Sequence, residues 1–433
     1  PLTMCAELLP EELATYYKRL YPTHLMVQWL SYRSPAYFAN REFSMTLHDD
    51  IYLRFLSYNY ESEFRGALLD RRPEKIDIGA VYSCRPRDRA TVSGGAFQAK
   101  EKELVIDIDL TDYDGVRLCC SDARVCSKCW LFMRIAVQVW CFRAGFGCFR
   151  AGFDCFRAGF GCFRAGLSCF RARLSCFRAR LSCFRARPGP GPALRLRVPP
   201  PAVGLLRPSR HSLLDLRPHT ARQLSANART AVIEYLSLVR RPGDKQPQQG
   251  QQQPPKCHPS VAAAADAIRR QFDDLVRQQD LFGTEDRTRA LLAQLPEDLR
   301  SVADTAVASW LADPDAYPSL KRWKTISKFA VSRGRQDVEQ QLLIQYAYPR
   351  LDVGVSTGVN HLLKAPFCVH PKTGRICVPF DPAAVDSFEP DSVPTLAQLL
   401  AELSSASAQQ QQQKPHLMAY KSTSLKASIE LFA

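Results

Sequence analysis

A seven-residue tandem repeat near the middle of the chain rules out one continuous regular fold. The repeat starts as Cys-Phe-Arg-Ala-Gly-Phe-Gly at Cys141 and recurs with gradual drift until Cys183. Solenoid repeats are about 20 residues long or longer, and a coiled-coil heptad would not place Gly and Arg in its apolar seam. We therefore predict that residues 141–218, the repeat and the Pro- and Arg-rich stretch after it, are not part of the fold. The alternative is a Cys/Arg array that binds metal or nucleic acid.

The same segment accounts for most of the net charge. The chain has 433 residues and a formal net charge of +15, yet 15 of its 58 Lys and Arg residues and only two of its 43 acidic residues lie in 141–218. The rest of the chain therefore carries a charge of about +2, which by itself predicts neither a nucleic-acid binder nor a membrane binder. Because no apolar run reaches the roughly 20 residues of a membrane span, we expect no membrane association.

Changes in composition and periodicity predict how the chain is divided. In chain order, the predicted parts are a first core part with a cysteine motif (1–140), the segment outside the fold (141–218), a core helix (219–241), a Gln/Pro linker (242–259), a helical subdomain (260–348), a second core part (349–389) and a mobile tail (390–433).

Two aspartates alternate with apolar residues in a predicted strand. The run Ile106-Asp107-Ile108-Asp109-Leu110 puts both carboxylates on one face, with their Cα atoms about 6.5 Å apart. Such a pair on an open face can bind two divalent cations for phosphoryl-transfer chemistry. The alternative is an ordinary solvated strand face.

Four cysteines follow within eleven residues. They are Cys119, Cys120, Cys126 and Cys129, and the last two form a Cys-x-x-Cys pair. Four thiolates complete the tetrahedral coordination of Zn²⁺ and leave no open position, which predicts a structural rather than a catalytic site. The alternative is a group of unligated thiols.

A third carboxylate lies near basic side chains in the C-terminal part. Asp352 is followed by His361, Lys364 and His370. A carboxylate beside cations suits a metal-bound triphosphate, whose phosphate oxygens Lys and His neutralise. Solvated charges on a β-hairpin are the alternative.

Together these motifs resemble those of one family, the small catalytic subunit of eukaryotic and archaeal DNA primase. The resemblance covers most of the chain outside 141–218. The motifs that carry it, in the family's order, are Arg41–Ser44, His48–Arg54, Lys75–Ser83, Asp107–Asp114, Cys119–Cys129, Glu234–Leu238, Tyr348–Asp352, His361–Lys364 and His370–Arg375.

The resemblance implies an α/β fold, namely a mixed-sheet primase-polymerase core with a zinc-binding motif and a helical subdomain. It implies that Asp107, Asp109 and Asp352 bind two catalytic Mg²⁺ or Mn²⁺ ions, that Glu42 joins Asp107 and Asp109 as a catalytic residue, and that the four cysteines hold a structural Zn²⁺. The implied nucleotide-binding residues are Arg54, Asp77, His361, Leu362, Leu363, Lys364 and His370.

The implied reaction is the template-directed synthesis of short RNA primers for DNA replication. A 3′-hydroxyl attacks the α-phosphate of a ribonucleoside triphosphate, and pyrophosphate leaves. The implied partners are a single-stranded DNA template, ribonucleoside triphosphates, a large primase subunit and the DNA polymerase alpha complex. The implied location is the nucleus.

The sequence departs from the family pattern at one motif. Family members carry Ser-Gly-Arg-Arg-Gly-x-His, which grips the triphosphate, on a strand between the zinc cluster and the helix near residue 221. The repeat and the Pro-rich stretch occupy that position here. Each lost charge-assisted hydrogen bond costs about 1.5–3 kcal/mol. We therefore predict that the chain as written is inactive or nearly so, and that the sheet with the aspartates lacks a strand.

Two other functions are consistent with these residues. A related primase-polymerase would extend with deoxynucleotides in repair. A non-catalytic scaffold would keep the zinc site and the partner surface while lacking the triphosphate motif.

Overall fold

The structure is a computed structural model, and it describes residues 8–32, 34–122, 124–143, 204–206, 210–214, 222–239, 259–409 and 419–433. Helices and strands are mixed, as the predicted α/β class requires. The strands are β1 (Arg41–Thr46), β2 (Tyr52–Leu56), β3 (Lys75–Tyr82), β4 (Ala99–Glu101), β5 (Val105–Asp109), β6 (Gly204–Leu206), β7 (Arg210–Leu214), β8 (Leu363–Lys364) and β9 (Pro379–Phe380).

Helices surround the strands and form most of the C-terminal half. They are α1 (Pro10–Arg19), α2 (Thr23–Ser31), α3 (Pro35–Ala39), α4 (Glu61–Arg71), α5 (Ser127–Arg143), α6 (Ala226–Leu236), α7 (Pro259–Gln279), α8 (Glu285–Leu292), α9 (Glu297–Ala312), α10 (Ser319–Ser332), α11 (Gln336–Ala347), α12 (Val353–Thr357), α13 (Leu396–Gln409) and α14 (Lys426–Phe432).

The first sheet has the strand order β2-β1-β3-β4, and β8 also pairs with β3. All of its pairs are antiparallel. β3 is buried from Ile76 to Tyr82, and only its first residue, Lys75, is partly exposed. Most of the buried residues are apolar or glycine. This strand therefore lies in the core and presents Asp77 to β8, where Lys364 is its partner.

The second sheet has the order β5-β7-β6-β9. β7 runs antiparallel to β5 and places the backbone of Ser212 opposite Asp107 and that of Arg210 opposite Asp109. The prediction that the aspartate sheet lacks a strand is therefore wrong, because the Pro-poor run from Arg210 to Leu214 pairs with β5. Two strands of this sheet come from the segment 141–218; residues 144–203, 207–209 and 215–218 of that segment lie outside the described residues.

Helices α7 to α11 lie between Pro259 and Ala347 and pack on one another. Helix α7 also packs on α5. Trp310 and Trp323 are buried there. Arg322 is also buried, and its guanidinium donates to the carbonyl oxygens of Phe282 (2.9 Å) and Trp310 (2.9 Å), which joins α10 to two neighbouring segments. The helical span agrees with the pattern of residues 260–348, while the division into domains stays a prediction.

The C-terminal segment differs from the predicted mobile tail. Within the described residues, α13 buries Leu396, Leu399 and Leu403, and Phe432 of α14 packs against Trp29. These leucines are three and four residues apart, so they form one apolar helix face. Across the described part of the chain, no helix combines the length and the apolar character needed to cross a membrane.

Candidate active site

Three aspartates meet at β5. Asp107 and Asp109 lie on this strand, and a β-bridge joins Ile108 to Leu351. The Asp352 amide then donates to the Asp107 carbonyl oxygen at 2.9 Å. The backbone thus fixes the third carboxylate beside the first two, although about 240 residues separate them in sequence.

The face of β5 that carries the aspartates is covered, not open. Asp107 is fully buried and Asp109 is 6% exposed, while Ile106 and Ile108 are buried on the other face. Helix α12, whose N-cap residue is Asp352, packs against β5. The expectation of an open face is therefore wrong, and the alternative of an ordinary solvated strand face is excluded.

Short hydrogen bonds orient two of the carboxylates. Asp109 Oδ1 accepts from the Thr111 amide (2.9 Å) and from the Thr111 hydroxyl (2.8 Å). Asp352 Oδ1 accepts from the Val355 amide (3.1 Å) and so caps the N-terminus of α12. Both side chains are therefore held in place by the chain itself, and carboxylates such as those of the buried Asp107 and Asp109 and the half-buried Asp352 are the oxygen donors that Mg²⁺ and Mn²⁺ prefer.

Glu42 on β1 is a fourth buried carboxylate. Arg54 Nε donates to its Oε1 at 2.9 Å, and the Tyr82 hydroxyl donates to its Oε2 at 3.0 Å. Burial and the neighbouring Glu42 carboxylate raise the pKa of Tyr82, so its hydroxyl keeps the proton that it donates. Gly79 is required beside Glu42, because a Cβ there would lie 2.8 Å from Glu42 Cβ and 2.9 Å from Leu362 Cδ2.

The segment from Leu351 to Lys364 joins the two sheets, because Leu351 forms a bridge with Ile108 of β5 and Lys364 pairs with Asp77 of β3. Lys102, which directly follows β4, donates from Nζ to the Gly358 carbonyl oxygen of this segment at 3.4 Å. Leu362 then packs against Gly79, and Lys364 pairs in register with Asp77. Through this segment the structure connects the aspartates of β5 with the predicted nucleotide-binding residues of the first sheet.

Asp77 has cationic and polar neighbours. Lys75 Nζ lies 3.0 Å from its Oδ2, and the Ser44 hydroxyl donates to the same oxygen at 3.2 Å. Lys364 opposite it is buried, which does not fit the alternative of solvated charges on a hairpin.

The two histidines lie at different depths. His361 is exposed and His370 is half-buried. Leu363, between His361 and His370, is buried. His370 begins a turn in which its amide donates to the Arg375 carbonyl oxygen (2.8 Å) and its Nδ1 lies 3.1 Å from the Thr373 hydroxyl.

Sequence patterns did not identify a buried charged group just before β5. Arg41 donates to both carboxylate oxygens of Glu103, at 2.9 and 2.8 Å, and Tyr32 donates to Glu103 at 2.6 Å. Burial opposes ionisation of Glu103, but Arg41 outweighs it and lowers the pKa of Glu103 to about 2. Burial lowers the pKa of Lys102 to about 8. The sequence signal that could have predicted this buried charge is the pair Lys102-Glu103 directly before the apolar residues that begin at Leu104.

The four cysteines form a compact cluster. The Sγ atoms of Cys119, Cys120, Cys126 and Cys129 all lie within 4.8 Å of one another. Cys126 Sγ and Cys129 Sγ are 3.8 Å apart, which is about the sulfur separation of a tetrahedral Zn²⁺ site with bonds near 2.3 Å. The hydrogen bond with Cys129 lowers the pKa of Cys119 to about 5. The four residues therefore fit one metal ion.

Gln279 at the end of α7 supports this cluster. Its Oε1 accepts from the amides of Leu118 (2.8 Å) and Cys119 (3.2 Å), and its Nε2 contacts Cys119 Sγ at 3.3 Å. The helical region thus holds the cysteine loop, and partners of this kind orient metal ligands.

The fold and the site together define a class of protein, an α/β protein with two buried aspartates on one strand, a third aspartate beside that strand and a separate cysteine cluster. A family model described as "DNA primase small subunit" matches residues 106–182 and 216–382. Three curated relatives bear the name DNA primase small subunit. The protein of Drosophila melanogaster is 33% identical over 92% of this chain and 82% of its own length. That of Schizosaccharomyces pombe is 32% identical (91% and 78%), and that of Caenorhabditis elegans is 32% identical (98% and 96%).

The chain belongs to the DNA primase small subunit family, whose members are nucleotidyltransferases that make RNA primers for DNA replication. The family's name also implies a larger partner subunit and DNA and nucleotide substrates.

Proposed function

We propose that Asp107, Asp109 and Asp352 form a centre for joining ribonucleotides on a single-stranded DNA template, and that the chain as written has little of this activity because it lacks Ser-Gly-Arg-Arg-Gly-x-His. The observation that carries this proposal is the 2.9 Å hydrogen bond from the Asp352 amide to the Asp107 carbonyl oxygen, which fixes the third carboxylate beside β5.

Two buried carboxylates and a half-buried third repel one another and are costly to desolvate unless cations compensate them. We assign this role to two Mg²⁺ or Mn²⁺ ions, which when bound would activate the attacking 3′-hydroxyl and stabilise the leaving pyrophosphate. Thr111 and the Val355 amide hold the side chains of Asp109 and Asp352 in fixed orientations. Glu42, held by Arg54 and Tyr82, completes the acidic group that we assign to catalysis.

The incoming ribonucleoside triphosphate would bind along the segment that joins the sheets. Lys364 and His370 supply positive charge for its phosphates, His361 to Leu363 line the approach, and Arg54 and Asp77 contact the neighbouring nucleotide. The two sheets and the segment between them correspond, in this proposal, to a primase-polymerase core.

The cysteine cluster would hold a structural Zn²⁺. All four ligand atoms converge, so no coordination position remains for a substrate. In the cell we propose that the chain works in the nucleus with a large primase subunit and the DNA polymerase alpha complex, since its relatives are eukaryotic proteins named as small subunits.

The metal centre can be tested apart from catalysis by Mn²⁺ binding, followed by electron paramagnetic resonance. We expect Asp109→Asn and Asp352→Asn each to weaken the tightest Mn²⁺ site by about tenfold or more, because each removes a charged ligand. Asp304→Asn, at an exposed position on α9, is the matched control and should bind Mn²⁺ like the unmodified chain. Equal Mn²⁺ affinity in all four proteins would refute the centre.

The absence of the Ser-Gly-Arg-Arg-Gly-x-His motif favours a second candidate, a non-catalytic scaffold. A scaffold would bind a large subunit and show no metal-dependent synthesis even with all three aspartates intact. Preference for deoxynucleotides over ribonucleotides in the same assay would instead indicate a repair primase-polymerase.

A further inference from the structure

Strand β2 contains a strained aromatic residue beside the candidate site. Phe43 pairs with Leu56 and Met45 with Leu53, so Ser44 alone faces the two residues Arg54 and Phe55. This is a β-bulge with one extra residue in β2. Phe55 has φ +61°, in the left-handed region that favours glycine.

Core packing does not explain this conformation. Phe55 is only half-buried, and its neighbours Tyr52 and Arg54 are exposed. A bulky residue in the left-handed region costs conformational free energy, and such residues persist mainly where function uses them. The bulge has two consequences here, since Arg54 reaches Glu42 while the Phe55 ring lies near the surface.

Aromatic rings and guanidinium groups continue from this bulge around Glu42. The Phe55 ring lies edge-on to Phe97 with centroids 5.9 Å apart, and Phe97 stacks on Tyr82 at 4.3 Å with an interplanar angle of 5°. Tyr82 in turn donates to Glu42. The guanidinium carbons of Arg54 and Arg89 lie 4.8 and 4.3 Å from the Phe55 ring centroid.

Arg89 supplies the positive charge of this surface, because Arg54 is already paired with Glu42. Nearby acidic groups are already paired, Glu63 with Arg87 and Asp88 with Arg85. In the part of the chain that the structure describes, no carboxylate lies within 4.0 Å of the Arg89 guanidinium. Arg89 is exposed, so its charge faces solvent.

We propose that Phe55, Phe97, Arg54 and Arg89 form a stacking platform for unpaired bases of single-stranded DNA next to Glu42. This chemistry matches the surface, because unpaired bases stack on aromatic rings and guanidinium planes while the phosphates pair with arginine. A duplex would hide its base faces. The inference rests on the proposed function, of which it names the template-binding surface.

The test is binding of fluorescein-labelled oligo(dT) to the full chain, followed by fluorescence anisotropy without nucleotide or metal. We expect Phe55→Gly and Phe97→Ala each to weaken binding by roughly tenfold, the loss of one stacked base. Phe55→Gly removes the ring and relieves the strain at φ +61°, so its urea unfolding midpoint should not fall. We expect Arg89→Gln to reduce the dependence of log affinity on log salt by about one.

The matched control is Phe329→Ala on α10, a half-buried ring with the Arg333 guanidinium 5.0 Å from its centroid. This variant should bind oligo(dT) like the unmodified chain. Unchanged oligo(dT) binding by Phe55→Gly would overturn the proposal. It would also be overturned if Phe55→Gly and Phe97→Ala kept their affinity for oligo(dT) but lost binding of the large subunit.

Failure of this proposal and failure of the proposed function are distinguishable. Asp109→Asn should keep oligo(dT) affinity, because the platform does not need the metal centre. If Phe55→Gly binds normally while Asp109→Asn loses Mn²⁺, the platform is refuted and the catalytic centre stands. If Phe55→Gly loses DNA while Asp109→Asn keeps Mn²⁺, the centre is refuted and the platform stands.

Discussion

At the scale of residues, the most consequential contact outside the aspartates is the ion pair between Arg41 and Glu103. Both side chains are buried, and the Gly79 carbonyl oxygen accepts a further hydrogen bond from Arg41 at 3.1 Å. Gly79 lies against Glu42 and Leu362. The ion pair therefore supports the backbone on which the candidate nucleotide site is built.

We expect Glu103→Gln to lower the free energy of unfolding at pH 7 by about 3–5 kcal/mol, because it leaves Arg41 buried without its counter-charge. The pKa of Glu103 is about 2 in the folded chain and about 4.3 in an unfolded one. Because the pKa of Glu103 is lower in the folded chain, its ionised carboxylate stabilises the fold at pH values above its pKa in the unfolded chain. This stabilisation is lost as the pH falls toward 2.

Urea unfolding at pH 7, 5 and 3 measures this difference. The gap between the unmodified chain and Glu103→Gln should be the same at pH 7 and 5 and smaller at pH 3. Equal stability of the two proteins at pH 7 would contradict the role of the pair.

At the scale of elements, the cysteine loop and helix α7 depend on each other through Gln279. We expect a bound metal to stabilise both, since ligand convergence and folding are coupled. Cys126→Ser should lose the metal and lower the melting temperature by roughly 5–10 °C. Zinc content and thermal unfolding measure the two effects.

Cys84→Ser is the matched control, because Cys84 is a free, half-buried thiol outside the cluster. It should retain the metal and the melting temperature. A purified chain without zinc whose melting temperature does not change on addition of Zn²⁺ would contradict a structural metal site.

Local patterns predicted some elements well and others poorly. The alternation around Asp107 predicted strand β5, and the Cys-x-x-Cys spacing predicted the compact thiol cluster, because both are properties of a few adjacent residues. The burial of Asp107 and the pairing of Arg41 with Glu103 depend on contacts across more than 60 residues, which no local pattern encodes. The bulge at Phe55 likewise depends on the register with β1.

At the scale of the whole molecule, the segment before residue 218 decides whether the chain is an active enzyme. Strand β7 pairs with β5 and lies in the stretch, between the cysteine cluster and helix α6, where the resemblance to the family places Ser-Gly-Arg-Arg-Gly-x-His. Residues 206–213 are Leu-Arg-Pro-Ser-Arg-His-Ser-Leu. Codons can be chosen for these residues so that the same nucleotides, read one position later, encode Ser-Gly-Arg-Arg-Gly-Ile-His without a stop codon. A shift of reading frame in this segment would account for the missing motif, and sequencing of the transcript tests this explanation.

The most direct measurement is primer synthesis on poly-dT with ATP and Mg²⁺, using the chain as written and a version in which Ser-Gly-Arg-Arg-Gly-Ile-His replaces residues 206–212. We expect little product from the chain as written and at least a hundredfold more from the restored chain, since several charge-assisted hydrogen bonds to the triphosphate return. Asp109→Asn in the restored chain should abolish the gain. Undiminished synthesis by that Asp109→Asn variant would contradict the assignment of catalysis to the aspartates of β5.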